Sequence, residues 1–512
     1  MVTAALAVVG AIVAGAILFT SGTASDVELT TARLVPEDAS FYFALNTDLS
    51  SDQWVAAFKL IKRLGQDDPR GKLEDSANDA GVDWKSEVVP FLGGDAAFFL
   101  RSASVSFTDV DGALIIKCTN AKDAFKVIRD QSGFDFDKED YDGQEYYAAD
   151  GLFAVILGKH LVLATSEEVL FEVIDTSKGK NKNLTDVQDF KTLRDELSKN
   201  FLAFFYIDSG SLFGDFLDSG GGIMRTALEE AGVADIALKP HAFAFGAKKD
   251  SFEAQSASLG KPGAIGPLTQ PRDSRFAKVV PGETAFFFST QNLAQTYDAI
   301  VKAAGKEINE AIREQSEFDS LDDALQSAGK ELGLKSAKDI IVQLTGETAI
   351  AVWFPAEDSD EPEVAFLAEV QNESAARTII EKIVASNARS NPKKSTIKGI
   401  DVVTFKDEDG EDVAYGITSG YLVIGTPAAL KAILDPDGPR LSETKTYVQT
   451  VAAMPTKLGT FAYFDVATLL RLPEAGLPAQ LDEAEKALKG AIINFVNERE
   501  VVRSSAVITI AE

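Results

Sequence analysis

Histidine, cysteine and paired carboxylates are the side chains most able to do chemistry, and this chain is poor in the first two. Its 512 residues hold two histidines and one cysteine. His160 precedes the run LVLAT and His241 opens AFAFG. Neither has a second metal-type ligand nearby in sequence, and no HExxH occurs. That leaves little material for a zinc site or a Cys–His dyad. Hydrolase signals fail too. G-x-S-x-G is absent, and Ser209-Gly210-Ser211 lacks the flanking glycines of a nucleophile elbow. Ser395-Thr396-Ile397-Lys398 matches S-x-x-K as a string, but that chemistry needs the serine at a helix start, with the lysine one turn on. Here it leads into the extended run GIDVVTF. There is no phosphate-binding glycine loop. The expectation is a chain with no catalytic and no cofactor-binding residues, no cofactor, and no enzymatic activity.

Acidic loops are the remaining polar clusters. They are EDSDEPE from Glu357 to Glu363, DEDGED from Asp407 to Asp412, and Asp135, Asp137, Glu139, Asp140 and Asp142 ahead of Gly143. Calcium takes several oxygen ligands, so weak binding there stays open. No glycine falls at the sixth position after a leading aspartate, so none is an EF-hand loop. Solvated hairpin tips are the simpler reading, and metal binding is left as unknown. Cys118, in ALIIKCT, shares a strand face with Ile116 and reads as a small buried apolar residue. The formal charge of −29 argues against nucleic acid, whose phosphates need a basic patch. It also argues against docking of the folded part on anionic headgroups. It suits a self-repelling ectodomain that binds cations or basic partners.

The elements that would position any site are written twice. LVPEDASFYFAL (Leu34 to Leu45) recurs as VVPGETAFFFS (Val279 to Ser289). Each is followed by a helical stripe, Trp54, Phe58, Ile61 and Leu64, then Leu293, Tyr297, Ile300 and Val301. Gly94-Asp95 answers to Gly346-Glu347, both opening an apolar strand. ALIIKCTNAKDAFKVI parallels VAFLAEVQNESAARTII, each switching from strand to helix at a polar N-cap stretch. Asp150-Gly151 and Asp409-Gly410 supply hairpin turns. The sequence offset grows from 245 between Pro36 and Pro281 to 257 between Asp208 and Asp465, a drift that loop insertions explain.

The expected fold is therefore α+β: a tandem duplication of one module, each an antiparallel or mixed sheet with helices packed on one face, after an N-terminal apolar helix. The expected boundaries are a transmembrane anchor or signal segment at 1–24, a first repeat at 33–260, a Pro/Gly linker at 261–277 and a second repeat at 278–512. The 33 phenylalanines gather in strands that are apolar on both faces. That implies a two-sided core or an apolar cavity.

Ala4 to Phe19 carries no charge, and as a helix it spans about 24 Å, between a signal-peptide core and a short membrane span. No Lys or Arg precedes it, which leaves open a natural start upstream of Met1. Gly22-Thr23-Ala24 offers a possible cleavage site. The expected location is the cell membrane, single-pass with an extracytoplasmic C-terminal part, or secretion after cleavage.

Leu34, Val35, Pro36, Asp38, Ala39 and Tyr42, followed by Trp54 on an amphipathic helix, resemble the bacterial envelope family catalogued as domain of unknown function 3352. The resemblance covers most of the chain after Arg33. It implies a single-pass or signal-bearing protein with a large extracytoplasmic part, and it brings no assigned site residues. The leading expectation is a membrane-tethered, non-enzymatic binding or scaffold module of the bacterial envelope. Its partners would be the membrane, through the N-terminal segment, and an envelope protein or apolar ligand, but no nucleic acid. Two alternatives stay open: a carrier of a lipid or other apolar ligand in a Phe-lined cavity, and an enzyme of unrecognised type with its site between the repeats.

Overall fold

The computed structural model describes residues 28–65, 69–79, 81–103, 110–212, 238–260, 263–355, 361–407, 409–471, 486–498 and 501–511. The expected N-terminal apolar helix at 1–24 and most of the EDSDEPE loop lie outside the described residues. Among the described residues, no helix is long and apolar enough to cross a membrane. The chain forms two compact units that change over at Leu259/Gly260.

The first unit holds β1 (Phe41–Asn46), α1 (Asp52–Arg63), α2 (Pro69–Asp79), β2 (Asp95–Ala103), β3 (Val110–Lys117), α3 (Ala121–Ser132), β4 (Asp137–Tyr141), β5 (Gln144–Ala149), β6 (Leu152–Leu157), β7 (His160–Ala164), α4 (Glu167–Ser177), α5 (Gln188–Glu196), β8 (Ala203–Asp208), β9 (Pro240–Lys248) and β10 (Ser251–Leu259). Its strands pair in the order β4-β5-β6-β7-β3-β2-β1-β8-β9-β10, every pair antiparallel.

The second unit holds β11 (Thr284–Gln291), α6 (Leu293–Gln315), α7 (Leu321–Glu331), β12 (Glu347–Trp353), β13 (Glu363–Glu369), α8 (Glu373–Asn387), β14 (Lys393–Ile397), β15 (Ile400–Lys406), β16 (Asp412–Thr418), β17 (Tyr421–Gly425), α9 (Pro427–Leu434), α10 (Lys445–Ala453), β18 (Thr460–Asp465), β19 (Leu488–Glu498) and β20 (Val501–Ile510). Its order is β14-β15-β16-β17-β13-β12-β11-β18-β19-β20, again antiparallel throughout.

Local chemistry sets these elements. The Asn120 side chain caps α3 by accepting from the backbone N–H groups of Lys122 and Asp123. Asn372 caps α8 through Ala375 N–H, each satisfying donors that a helix start leaves open. The β4–β5 hairpin turns on Asp142 and Gly143, with φ of 55° and 77°. These are the left-handed values of a two-residue turn that matches strand twist. In α1, Trp54 and Phe58 are buried, and the Trp54 indole donates to the Asn46 carbonyl at 2.8 Å.

The α+β class holds, and of the two expected pairings, antiparallel or mixed, the sheets take the antiparallel one, because hairpins rather than crossovers join most neighbours. The rest of the expectation needs correction. Helices pack on both faces, not one. On one face of the first unit, Ile116, Ala154, Leu161 and Leu163 pack with Ala124, Phe125 and Ile128 of α3. Ile115, Val155 and Val162 alternate with them, are fully buried, and lie where α4 runs along β3, β6 and β7. The second unit does the same. Val403 and Tyr415 pack with Ile380 and Val384 of α8. Val402, Ala414 and Val423 pack with Leu430 and Ile433 of α9 and Tyr447 of α10. These strands, apolar at both parities, are covered on both sides. A shared strand order is a likeness of topology; descent by tandem duplication is a separate statement, and nothing in the described residues establishes it.

The stretch at 261–277, read from composition as a linker, contributes a 3-10 turn at Gly263–Thr269 and buried Thr269, Ser274 and Phe276 to the second unit.

Candidate binding face

Two buried carboxylates, Asp95 and Glu347, each gather several donors at the start of a central strand. Asp95 opens β2 and is fully buried. It accepts from Thr30 Oγ1 (2.6 Å), Thr31 Oγ1 (2.6 Å) and Thr31 N–H (2.9 Å). Those threonines begin the 3-10 turn Thr31–Arg33, so the carboxylate satisfies the donors of that turn. Thr31 Oγ1 also meets Tyr42 OH at 2.8 Å. Burial, then the nearby Asp95 charge, push the Tyr42 phenol well above its ordinary range.

Glu347 opens β12 and serves the turn Phe276–Lys278. It accepts from Ser274 Oγ (2.6 Å), Ser289 Oγ (2.6 Å), Arg275 N–H (2.6 Å) and Phe276 N–H (3.3 Å). Arg272 adds an ion pair at 2.7 Å. Both carboxylates are fully engaged in holding a turn against a strand, which makes them structural groups.

His160 comes within this first constellation, its Nε2 lying 3.1 Å from Thr30 Oγ1. Burial holds its imidazole below the ordinary value, while Asp95 pulls the other way. Thr30 already donates to Asp95, so the threonine is not a hydroxyl activated by the histidine. His241 lies on β9, remote in register from β7. Cys118 is buried among the residues packed under α3, and burial pushes its thiol up to about 12.

Ser211 donates to Asp208 Oδ2 at 2.8 Å in a local turn. Ser395 sits in strand β14, so Lys398 does not follow it by a helical turn. In the acidic stretch before Gly143, Asp142 pairs with Lys178 (2.8 Å) and Lys180 (2.9 Å). Among the described residues, no group of three His, Cys, Asp or Glu side chains could hold a metal.

Part of one sheet face is apolar and open to solvent. Register places the second unit's outward residues in rows across the sheet. One row is Phe366, Ile350, Phe288, Ala462, Ile493 and Ala506. The next is Val364, Val352, Phe286, Phe464, Ala491 and Ile508. Phe286 and Phe464 pack ring to ring at 5.2 Å. Within these rows and the neighbouring Phe495, exposure reaches 39% at Ile350, 42% at Val364, Ile493 and Ile508, and 46% at Phe495.

The alternate parity, Phe287, Phe461, Tyr463 and Ile492, is buried under the helices. The first unit has a counterpart. Phe98, Phe43, Phe205 and Phe243 form one row, with Phe43 and Phe205 at 4.6 Å and Phe245 45% exposed beside them. Sequence reasoning found these strands apolar on both faces but could not tell which parity is open. A separate cleft of about 250 Å3, lined in part by Pro281, Trp353, Lys431, Asp435 and Arg440, is not lined by phenylalanine.

No curated protein matches the chain at a significant level. Among solved structures, crystal form I of TP0453 is 9% identical, covering 46% of this chain and 81% of that one at a TM-score of 0.24. Crystal form IV is 10% identical, covering 44% and 79% at a TM-score of 0.26. The family described as Protein of unknown function (DUF3352) matches residues 1–493, and the chain belongs to that family.

Proposed function

We propose that the protein is a non-enzymatic binding module of the bacterial envelope, tethered by its N-terminal apolar segment, that engages an apolar partner through its open sheet face. The observation that carries this reading is the set Ile350, Val364, Ile493, Phe495 and Ile508, all exposed and all on one parity of one sheet. Contiguous exposed apolar surface is what soluble folds avoid outside interaction sites. The saturated Asp95 and Glu347 constellations support a non-enzymatic role, since neither leaves a group poised for proton transfer.

A second reading, a carrier of a lipid or other apolar ligand, draws support from the half-buried Phe43, Phe98, Phe205 and Phe243 row. Photo-crosslinking separates the two. Benzoylphenylalanine at Phe495 or Phe205 in the full chain, irradiated in membranes, should yield a protein adduct at 495 for the binding module. A lipid adduct at 205 alone would favour the carrier. No adduct at either position would defeat both. A hydrolase activity abolished by one point substitution would overturn the non-enzymatic assignment.

A further inference from the structure

The two short strands at the free edges of the sheets carry opposite charge. β4 pairs only with β5 and β14 only with β15 among the described residues, so each presents an unpaired row of backbone donors and acceptors. Four of the five residues in each strand are exposed. β4 reads DKEDY and β14 reads KKSTI. The one cation of β4, Lys138, is ion-paired with Glu145 on the neighbouring strand, while Asp137, Glu139 and Asp140 are exposed. β14 offers Lys393 and Lys394; the next lysine, Lys398, pairs with Asp435 at 3.2 Å.

Charged edge strands ordinarily block edge-to-edge pairing, because a like edge meets a like charge. That protection holds for β4 against β4 and for β14 against β14. It reverses for β4 against β14. We propose that β4 of one copy of this chain pairs antiparallel with β14 of a second copy, extending the sheet across the two molecules. An antiparallel register with Asp140 opposite Lys394 also sets Lys138 opposite Thr396 and Glu139 opposite Ser395. Glu139 then has Lys393 as its diagonal neighbour, within reach of a long side chain.

Parity agrees with this register. Lys138 pairs with Tyr147, a residue packed with the α3 side, and Lys394 pairs with Val403, packed with the α8 side. Residues that face each other in a sheet share a face, so the joined sheets keep these helices on the same side. The contact is heterologous, so copies close into a ring or run on as an open chain. The pairing does not depend on the apolar face proposed above.

The test mixes two full-length variants in non-ionic detergent, Lys138→Cys and a mass-tagged Thr396→Cys, under mild oxidation. Cys118 is buried and does not compete. The expected result is a mixed disulfide dimer at least fivefold above the homodimers of either variant. It should fall at least fivefold between 0.01 M and 1 M salt, where the screening length drops from about 30 Å to about 3 Å. Adding Lys393→Glu and Lys394→Glu to the second chain should abolish it. Adding Asp137→Lys, Glu139→Lys and Asp140→Lys to the first chain as well should restore it. A mixed dimer no more abundant than the homodimers overturns the proposal. So does one that is indifferent both to salt and to charge reversal.

Discussion

Asp95 and Glu347 hold the same place in their units, the first residue of a central strand under a 3-10 turn, yet they are satisfied differently. Asp95 is met by two threonine hydroxyls and one backbone N–H. Glu347 is met by two serine hydroxyls, backbone donors and the Arg272 guanidinium. What the two share is the service to the turn; what differs is the counter-charge. The recurring feature is therefore the capping of a chain entry by a buried carboxylate. The cation is an addition that makes the second constellation harder to dismantle piecemeal, because removing the acid strands a mostly buried arginine.

The largest effect follows from that difference. Glu347→Ala should cost about 3–5 kcal/mol in denaturant unfolding, the range for breaking a buried ion pair from one side. Asp95→Ala should cost less, about 1.5–3 kcal/mol, because it removes charged hydrogen bonds but leaves no unpaired charge. Equal costs, or the reverse order, would show that Arg272 is not what distinguishes the two places.

The two parities of one sheet give the next contrast. Phe461→Ala, under the helices, should cost about 3–5 kcal/mol. Phe495→Ala, on the open face, should stay within about 0.5 kcal/mol while weakening partner capture. A large stability loss at Phe495 would mean that this face is part of the fold's own core.

Cys118 extends the same comparison to reactivity. With its thiol pushed up to about 12 by burial, it should resist iodoacetamide in the native protein at pH 8 and react once unfolded. Ready native alkylation would place it outside the core described for α3.

The smallest effect is at the β4–β5 turn. Hydrogen bonds from Lys178 and Lys180 lower the exposed Asp142 carboxyl to about 2. Its folded value is depressed, so its stabilising contribution is present above about pH 4 and fades as pH falls toward 2. Carboxyl NMR of the Lys178→Ala/Lys180→Ala double variant should show Asp142 titrating near its ordinary value; an unchanged midpoint would remove the lysines as the cause.

Much of the scaffold was legible because its signals are local. Asn120 and Asn372 stand at strand-to-helix switches, and Asp-Gly and similar pairs stand at hairpins, where chain direction is set by a few adjacent residues. The helical stripe of Trp54 and Phe58 read correctly for the same reason. The candidate face was half legible. Strands such as AFFFS announce themselves as apolar at both parities, but exposure at Ile350 and Phe495 is fixed by what packs above each row. Helices on both faces were missed because the packing of α3 and α8 against strands is a contact between segments distant in sequence.

Sequence alone determined the order of elements, the recurrence of Gly94-Asp95 as Gly346-Glu347, the scarcity of reactive side chains and the strong negative charge. These follow from residue type and near-neighbour spacing. Only the tertiary structure decided that Asp95 and Glu347 cap turns whose donors lie 64 and 72 residues away. It alone set which rows of each sheet are open, and that β4 and β14 end their sheets. A strand's sequence fixes its alternation, while its partners and its cover are supplied by segments that reach it only when the chain has folded.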